Sequence, residues 1–323
     1  MLEFSNSQPF ERGIELLNSV LPAVKMGSSQ SQRLMQYYGD MEETEELLTS
    51  PGFDTTECQS EEDRPPAEPI LYVEVDGGHL PTDDGYRETK VGRIFAGHHI
   101  EKKSSDYQGV ELRNRLSSSD YLAHLGSYKE FTARFDKLVD AHLEQNPNSK
   151  MVAISDGAEW IGKWLTGAFP SATVILDFYH AMEHLAEFAN LLFGSKTEKI
   201  AWIDECKEAL LAGNIDKVID NISLKAADKD DCIVRKSEEL KAYYDKNRYR
   251  MKYDEYVSAG YCIGSGAIES AISTVVQQRC KLVGQRWTKK VIAVLNVRAV
   301  FKSGKKEKLK GIINAKMGYK NAA

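Results

Sequence analysis

The chain has 323 residues, 42% hydrophobic and 28% charged, with a net charge of −6. That balance supports a buried core and excludes a wholly disordered, collagen-like or disulfide-stapled protein. No apolar run approaches the roughly 20 residues of a membrane-spanning helix, and the start, MLEFSNSQPF, lacks the basic-then-apolar order of a signal peptide. At about 150 residues per domain, the length suggests two domains or one decorated domain. The five cysteines (Cys58, Cys206, Cys232, Cys262, Cys280) never form a C-x-x-C pair, which argues against a cysteine zinc site. A soluble protein of a reducing cytoplasm is expected.

Charge is spread unevenly. From Lys281 onward twelve Lys and Arg face one acid, Glu307, whereas residues 1–70 hold fourteen acids and four bases. Such asymmetry points either to a polyanion met by a local patch or to a solvated lysine-rich tail.

In chain order, residues 1–49 read as helical, with Ile14, Leu17 and Leu21 at helical spacing and a second stretch from Ser28 to Tyr38. Joined around Met26-Gly27, the two could form a helix-turn-helix or an ordinary helical pair. Residues 50–69 are acidic and Pro-containing and read as a linker. Ile70–Val75 then reads as a strand closed by Asp76-Gly77-Gly78, Lys90–Ala96 as a second strand, and Tyr121–Leu125 as a weaker third. Tyr128–Glu144 has helical period, with Phe131, Phe135, Leu138 and His142 on one face. Met151–Ile154 is a strand ending in Ser155-Asp156-Gly157, Ala158–Phe169 a helix, and Thr173–Leu176 a strand ending in Asp177. Strands followed by a strand-helix-strand unit indicate an α/β layer with a mixed sheet. From Phe178 to Tyr256 the pattern is helical throughout. Ile263-Gly264-Ser265-Gly266 interrupts it, and Ala267–Lys281 resumes as a helix with Ile268, Ile272, Val275 and Val276 in one stripe.

Three carboxylates stand at informative places: Asp76 and Asp156 at strand ends, and Glu269 on the helix after the insertion. Ligands of open α/β sheets bind beyond the carboxyl ends of strands. Carboxylates there suit hard divalent cations, and two such ions can clamp a phosphoryl displacement. Each residue also has a plain structural use: Asp76-Gly77 as a turn, Asp156 as a helix N-cap, Glu269 as a solvent-facing side chain.

The segments VEVDGG (73–78), YRETKVGRIFAG (86–97), VAISDGAEWI (152–161), FPSATVILDFYHAMEHL (169–185) and IGSGAIES (263–270) occur in an order that resembles bacterial insertion-sequence transposases. The nearest type is the ISKra-like group within the Mutator-like DDE transposases. The resemblance implies an RNase H-like α/β core (70–177 and 261–302), an all-helical insertion (178–260) and a basic C-terminal tail (303–323). It implies that Asp76, Asp156 and Glu269 are catalytic and bind two Mg²⁺ or Mn²⁺ ions. Asp177 and His180 match the family's D-x-x-H signature as accessory residues.

The implied activity is strand cleavage at transposon ends followed by 3′-hydroxyl attack on target DNA, by a homodimer or larger assembly at the nucleoid. Members of that group commonly carry further sequence upstream, so a shortened, catalytically silent copy that only binds DNA is the alternative expectation.

His180-Ala181-Met182-Glu183-His184 also spells H-x-x-E-H, the order of inverted zinc metallopeptidases, without an identifiable third ligand. Around RCKLVGQRW (279–287), Arg279, Lys281, Arg286, Lys289 and Lys290 are candidate phosphate contacts. Trp287 either stacks on an unpaired base or anchors the last helix in the core.

Overall fold

A computed structural model describes residues 1–54, 69–101, 115–264 and 270–318. The chain is mixed α/β, with a five-stranded mixed sheet in the order β5-β2-β1-β6-β7 and a separate short ladder, β3-β4. It divides into two compact units, residues 1–151 with 267–323, and residues 152–266.

In the first unit, β1 (Ile70–Thr82) and β2 (Gly85–Ala96) form a long antiparallel hairpin. The first strand therefore does not stop at Val75. Every residue from Asp76 to Thr82 has a partner on β2, and the turn falls at Asp83-Asp84, before Gly85 with its φ of +98°. Asp76-Gly77 is thus neither a turn nor a strand end. β3 (Ile100–Glu101) and β4 (Arg115–Leu116) pair with each other, and β5 (Asp120–Leu125) pairs antiparallel with β2.

The helix α5 (Tyr128–Gln145) begins at a capping box in which Ser127 Oγ accepts from Glu130 N and Glu130 Oε2 accepts from Ser127 N. Its expected apolar face, Phe131, Phe135, Leu138 and His142, is buried. Gly92 makes this packing possible, because a Cβ there would overlap the Phe135 ring.

The N-terminal helices are α1 (Leu2–Ser7), α2 (Phe10–Val20), α3 (Ser28–Gly39) and α4 (Glu42–Thr49). Residues 21–27 join α2 to α3, longer than the roughly three- or four-residue turn of a helix-turn-helix. The helix α12 (Val291–Lys302) crosses α3 so closely that a Cβ on Gly39 would overlap the Ala293 carbonyl. Asn296 Nδ2 donates to Gly39 O at 2.9 Å at this crossing.

Two expectations change here. Residues 303–316 are not a free basic tail: Leu309 and Ile313 of α13 (Lys306–Lys316) are buried in the core. Lys305 donates to Leu47 O and Ser50 O and pairs with buried Asp120 at 2.7 Å. Lys306 pairs with Glu3, and Lys316 with Glu43 at 2.6 Å, so part of the charge asymmetry is neutralised within the chain. Residues 50–54 are likewise no linker, since Gly52 N donates to Asp120 and Phe53 packs on His142 and His99. The rest of the expected linker, 55–68, lies outside the described residues.

The helix expected over Ala267–Lys281 is interrupted. Its described part turns π-helical at Ile272–Gln277 before one last α-turn at Gln278–Cys280.

In the second unit, β6 (Lys150–Ser155) pairs parallel with β7 (Thr173–Leu176) across α6 (Glu159–Ala168), as the strand-helix-strand pattern predicts. Among the described residues five α-helices follow, α7 (Phe178–Leu192), α8 (Lys196–Leu211), α9 (Ile215–Ala226), α10 (Asp231–Asn247) and α11 (Tyr253–Ser258). They pack around Phe188, Trp202, Cys206, Val218, Ile222 and Tyr244. The compact unit begins near Val152 and not at Phe178, and hydrogen bonds supply the reason. Tyr253 Oη donates to Leu176 O at 3.1 Å, and buried Arg250 donates to Ser155 Oγ at 3.3 Å and to Asn247 Oδ1 at 2.7 Å. Among the described residues, no helix is long and apolar enough to cross a membrane.

Candidate functional site

Asp76 stands in the middle of β1, opposite Val91, half-buried, with Oδ1 accepting from Gly77 N at 2.6 Å. Alternation along the strand puts Glu74 on the same face, and Glu74 is buried. Sequence reasoning passed over Glu74, although the E-x-D spacing of VEVDGG already carried that signal. Two residues beyond Asp76, a Cβ on Gly78 would lie 3.4 Å from Cγ2 of Ile272, so this part of β1 runs beside the π-helical segment. Glu269 precedes Ile272 by three residues and lies outside the described residues.

In the second unit, Asp156 follows the last residue of β6. Its Oδ1 accepts from Ala158 N at 2.9 Å, which turns the chain into α6. Gly157 comes so close to Tyr243 that a Cβ would overlap the phenol ring. The buried Tyr243 hydroxyl has no hydrogen-bond partner among the described residues. Burial raises its pKa, with Arg250 opposing and the Asp156 and Asp177 carboxylates adding to the rise.

Asp177 is the buried N-cap of α7, with Oδ1 accepting from Tyr179 N at 2.9 Å. Its backbone N donates to Ser155 O at 2.9 Å, and Phe178 N donates to Ile263 O at the same distance. One turn into α7, the His180 and His184 rings lie 4.8 Å apart, and His184 lies 4.5 Å from Tyr243. Burial lowers the His184 pKa, His180 lowers it further, and the nearby carboxylates of Glu187, Glu183 and Asp156 oppose.

The second unit thus gathers Asp156, Asp177, His180, His184 and Tyr243 into one neighbourhood. Sequence reasoning missed Tyr243, which comes from α10 and carries no local motif.

Carboxylate oxygens are the right donors for Mg²⁺ or Mn²⁺. Among the described residues, however, no group of three or more His, Cys, Asp or Glu side chains is arranged to hold a metal ion. His180 and His184 direct Nδ1 toward Glu183 (3.4 Å) and Glu187 (3.9 Å), one turn along their own helix. The H-x-x-E-H motif therefore gains no third ligand among the described residues.

The basic residues divide. Lys281, Arg286, Lys289 and Lys290 are exposed. Arg279 is not: it is fully buried, with Nε donating to Ser5 O at 2.9 Å and its guanidinium 4.8 Å from the Phe10 ring and 5.1 Å from Trp287. Trp287 is half-buried and anchored, Nε1 donating to Cys280 O at 2.8 Å and its backbone bonded to Pro81 and Asp83. Beyond them Leu282 and Val283 project into solvent.

No curated protein matches this chain. Residues 45–314, the hairpin, the helical unit and α12 included, match one family model, and the chain belongs to that family, the uncharacterised protein family UPF0236.

Proposed function

We propose that this chain is a DDE transposase that cuts DNA at the ends of a mobile element and joins the freed 3′-hydroxyl to target DNA. The reading starts from the likeness of its motifs to bacterial insertion-sequence transposases. The observation that carries it furthest is the approach of β1 to the helical segment after Glu269, read from Gly78 and Ile272. That approach brings the strand of Asp76 alongside the segment three residues past Glu269. The strand order β5-β2-β1-β6-β7 agrees with an RNase H-like sheet in which Asp156 follows β6.

In this reading Asp76, Asp156 and Glu269 hold two Mg²⁺ or Mn²⁺ ions. Bound there, the ions would activate water or a 3′-hydroxyl and stabilise the leaving oxygen. The residues of the chain hold and orient. The Ala158 N–H fixes one oxygen of Asp156, and Asp177 caps α7, on which His184 stands between His180 and Tyr243. No covalent enzyme intermediate is required. The partners are transposon-end and target DNA, with a second copy of the chain pairing the two ends.

The test is cleavage of a labelled duplex carrying the element's terminal repeat, with Mg²⁺ or Mn²⁺, by the native protein and by Asp156→Ala. Nicking at the repeat boundary that disappears in the variant, with DNA retention unchanged, is the expected result. Retention without cleavage by the native protein would reduce the chain to a DNA-binding relative of transposases. Loss of both would overturn the DNA reading.

A further inference from the structure

A buried cation without a counter-ion is costly, and among the described residues of the first unit Arg279 is such a cation. Arg279 is fully buried, the rings of Phe10 and Trp287 lie edge-to-face with each other against its guanidinium, and Nε is committed to Ser5 O. The two remaining nitrogens, Nη1 and Nη2, have no acceptor among the described residues. A guanidinium in that setting has lost the hydration of two nitrogens, and the ring contacts of Phe10 and Trp287 supply no hydrogen-bond acceptor in exchange. Burial, with Arg298 adding to it, lowers its pKa to about 10, which leaves the group charged at neutral pH.

Arg279 lines a cavity of about 250 Å³ that opens beside α2 and α3. Arg286 and Lys290 line it too, Gln32 and Gln36 supply amides from α3, and none of the described residues lining it is an acid. The cavity therefore carries positive charge and side-chain amides on mostly apolar walls, and it is small, below the roughly 300 Å³ at which pockets for drug-sized ligands begin. Oxyanions meet these demands. Two oxygens of one tetrahedral anion can accept from the paired nitrogens of a guanidinium, and the anion supplies the missing charge.

We propose that this cavity binds a phosphate group, with Arg279 as its buried clamp and Arg286 and Lys290 as its outer cations. This goes beyond exposed phosphate contacts along the basic stretch, because the N-terminal helices form part of the site. It does not depend on the carboxylate triad. The group can belong to a nucleic-acid strand or to free phosphate, since the recognised chemistry is the same.

The experiment is calorimetric titration of the full chain with inorganic phosphate at constant ionic strength, with chloride as the control. Saturable binding at one site per chain is expected. The double variant Arg286→Gln/Lys290→Gln alters only exposed side chains and should weaken binding about tenfold or more, as expected on losing charge-assisted hydrogen bonds. Arg279→Lys, which keeps a charge but loses the fork, should weaken it at least as much; if that variant does not fold, the double variant decides.

A duplex that displaces phosphate assigns the group to a nucleic-acid strand, and a duplex that binds alongside it assigns free phosphate; either result supports the site. Absence of saturable binding, or equal affinity in the double variant, would overturn it. Phosphate binding by a protein that never cleaves DNA would leave this site standing and remove only the transposase reading.

Discussion

Arg298 Nε donates to the carbonyl of Val275 at 2.7 Å, and the same guanidinium also donates to Thr274 O and Asn6 O. One buried side chain on α12 thereby satisfies carbonyls of the π-helical segment and of the end of α1. Where hydrogen bonding passes from the π to the α pattern, carbonyls are left without their usual helical partner. Arg298 supplies the donors that let Ile272–Gln277 stay wide. Arg298→Met keeps much of the bulk and removes all three donors. It should cost about 3 kcal/mol, since buried unpaired polar groups cost about 1–3 kcal/mol each and partial relaxation offsets the sum. Urea unfolding checks this, and a loss below about 1 kcal/mol would mean that Arg298 is not what holds the segment open.

A second buried polar centre ties distant parts of the first unit together. Asp120 accepts from Gly52 N at 2.6 Å, contacts His142 Nε2 at 2.9 Å and pairs with Lys305 at 2.7 Å, and all four residues come from different segments. Lys305→Met leaves a buried carboxylate without its cation and should destabilise by about 3–5 kcal/mol. Exposed Lys308→Met, three residues on, should change stability by less than about 0.5 kcal/mol. Equal effects in thermal or urea melts would contradict the proposed role of the pair.

Acid should lower the stability of this protein over two successive pH ranges. Burial pushes His99 down to about 4 from 6.5, with His98 and His142 adding and Asp120 opposing. The unfolded chain therefore takes up that proton first, and stability falls as pH drops from about 6.5 toward about 4. For Asp120, burial alone would raise the carboxyl, but His142 and Lys305 outweigh it and hold it below the usual value. Its contribution is present above the ordinary aspartate pKa and is lost as pH falls further. His99→Phe should flatten the upper part of the stability–pH curve and leave the lower part. An unchanged curve would remove His99 as its cause.

Gly92→Ala tests the packing of α5 on β2. The added Cβ meets the Phe135 ring, and overpacking of this kind costs about 1–3 kcal/mol. Adding Phe135→Leu should recover part of the loss, because the second change removes the clashing ring. Additive losses in a double-mutant cycle would show that the two positions do not press on each other.

On the transposase reading, Mn²⁺ should raise the melting midpoint of the native protein more than that of Asp156→Asn. At one hundred times the dissociation constant the added stability is about 2.7 kcal/mol. Equal shifts in both proteins would exclude Asp156 as a ligand.

Local patterning made several elements readable in advance. The apolar spacing of Phe131, Phe135, Leu138 and His142 located a buried helical face, and the short apolar runs before Asp156 and Asp177 located β6 and β7. What escaped was set by partners distant in sequence. Asp76-Gly77 looks like a strand end in isolation, yet β2 supplies a register partner at each position on to Thr82. Arg279 reads as a surface cation beside Lys281, yet it is fully buried against Phe10 and Trp287.

The sequence by itself determined the order of strands and helices, the helical stretch after Phe178 and the candidate carboxylates, because periodicity and turn chemistry act over a few residues. Only the tertiary structure decided which charges are buried and which side chains are neighbours. It turned a basic tail into the Lys305–Asp120 and Lys316–Glu43 pairs, set Tyr243 against His184, and placed Arg279, fully buried, among the residues lining a cavity. Burial and pairing depend on residues tens to hundreds of positions away, and a charge on a linear chain does not reveal whether water or another side chain will surround it.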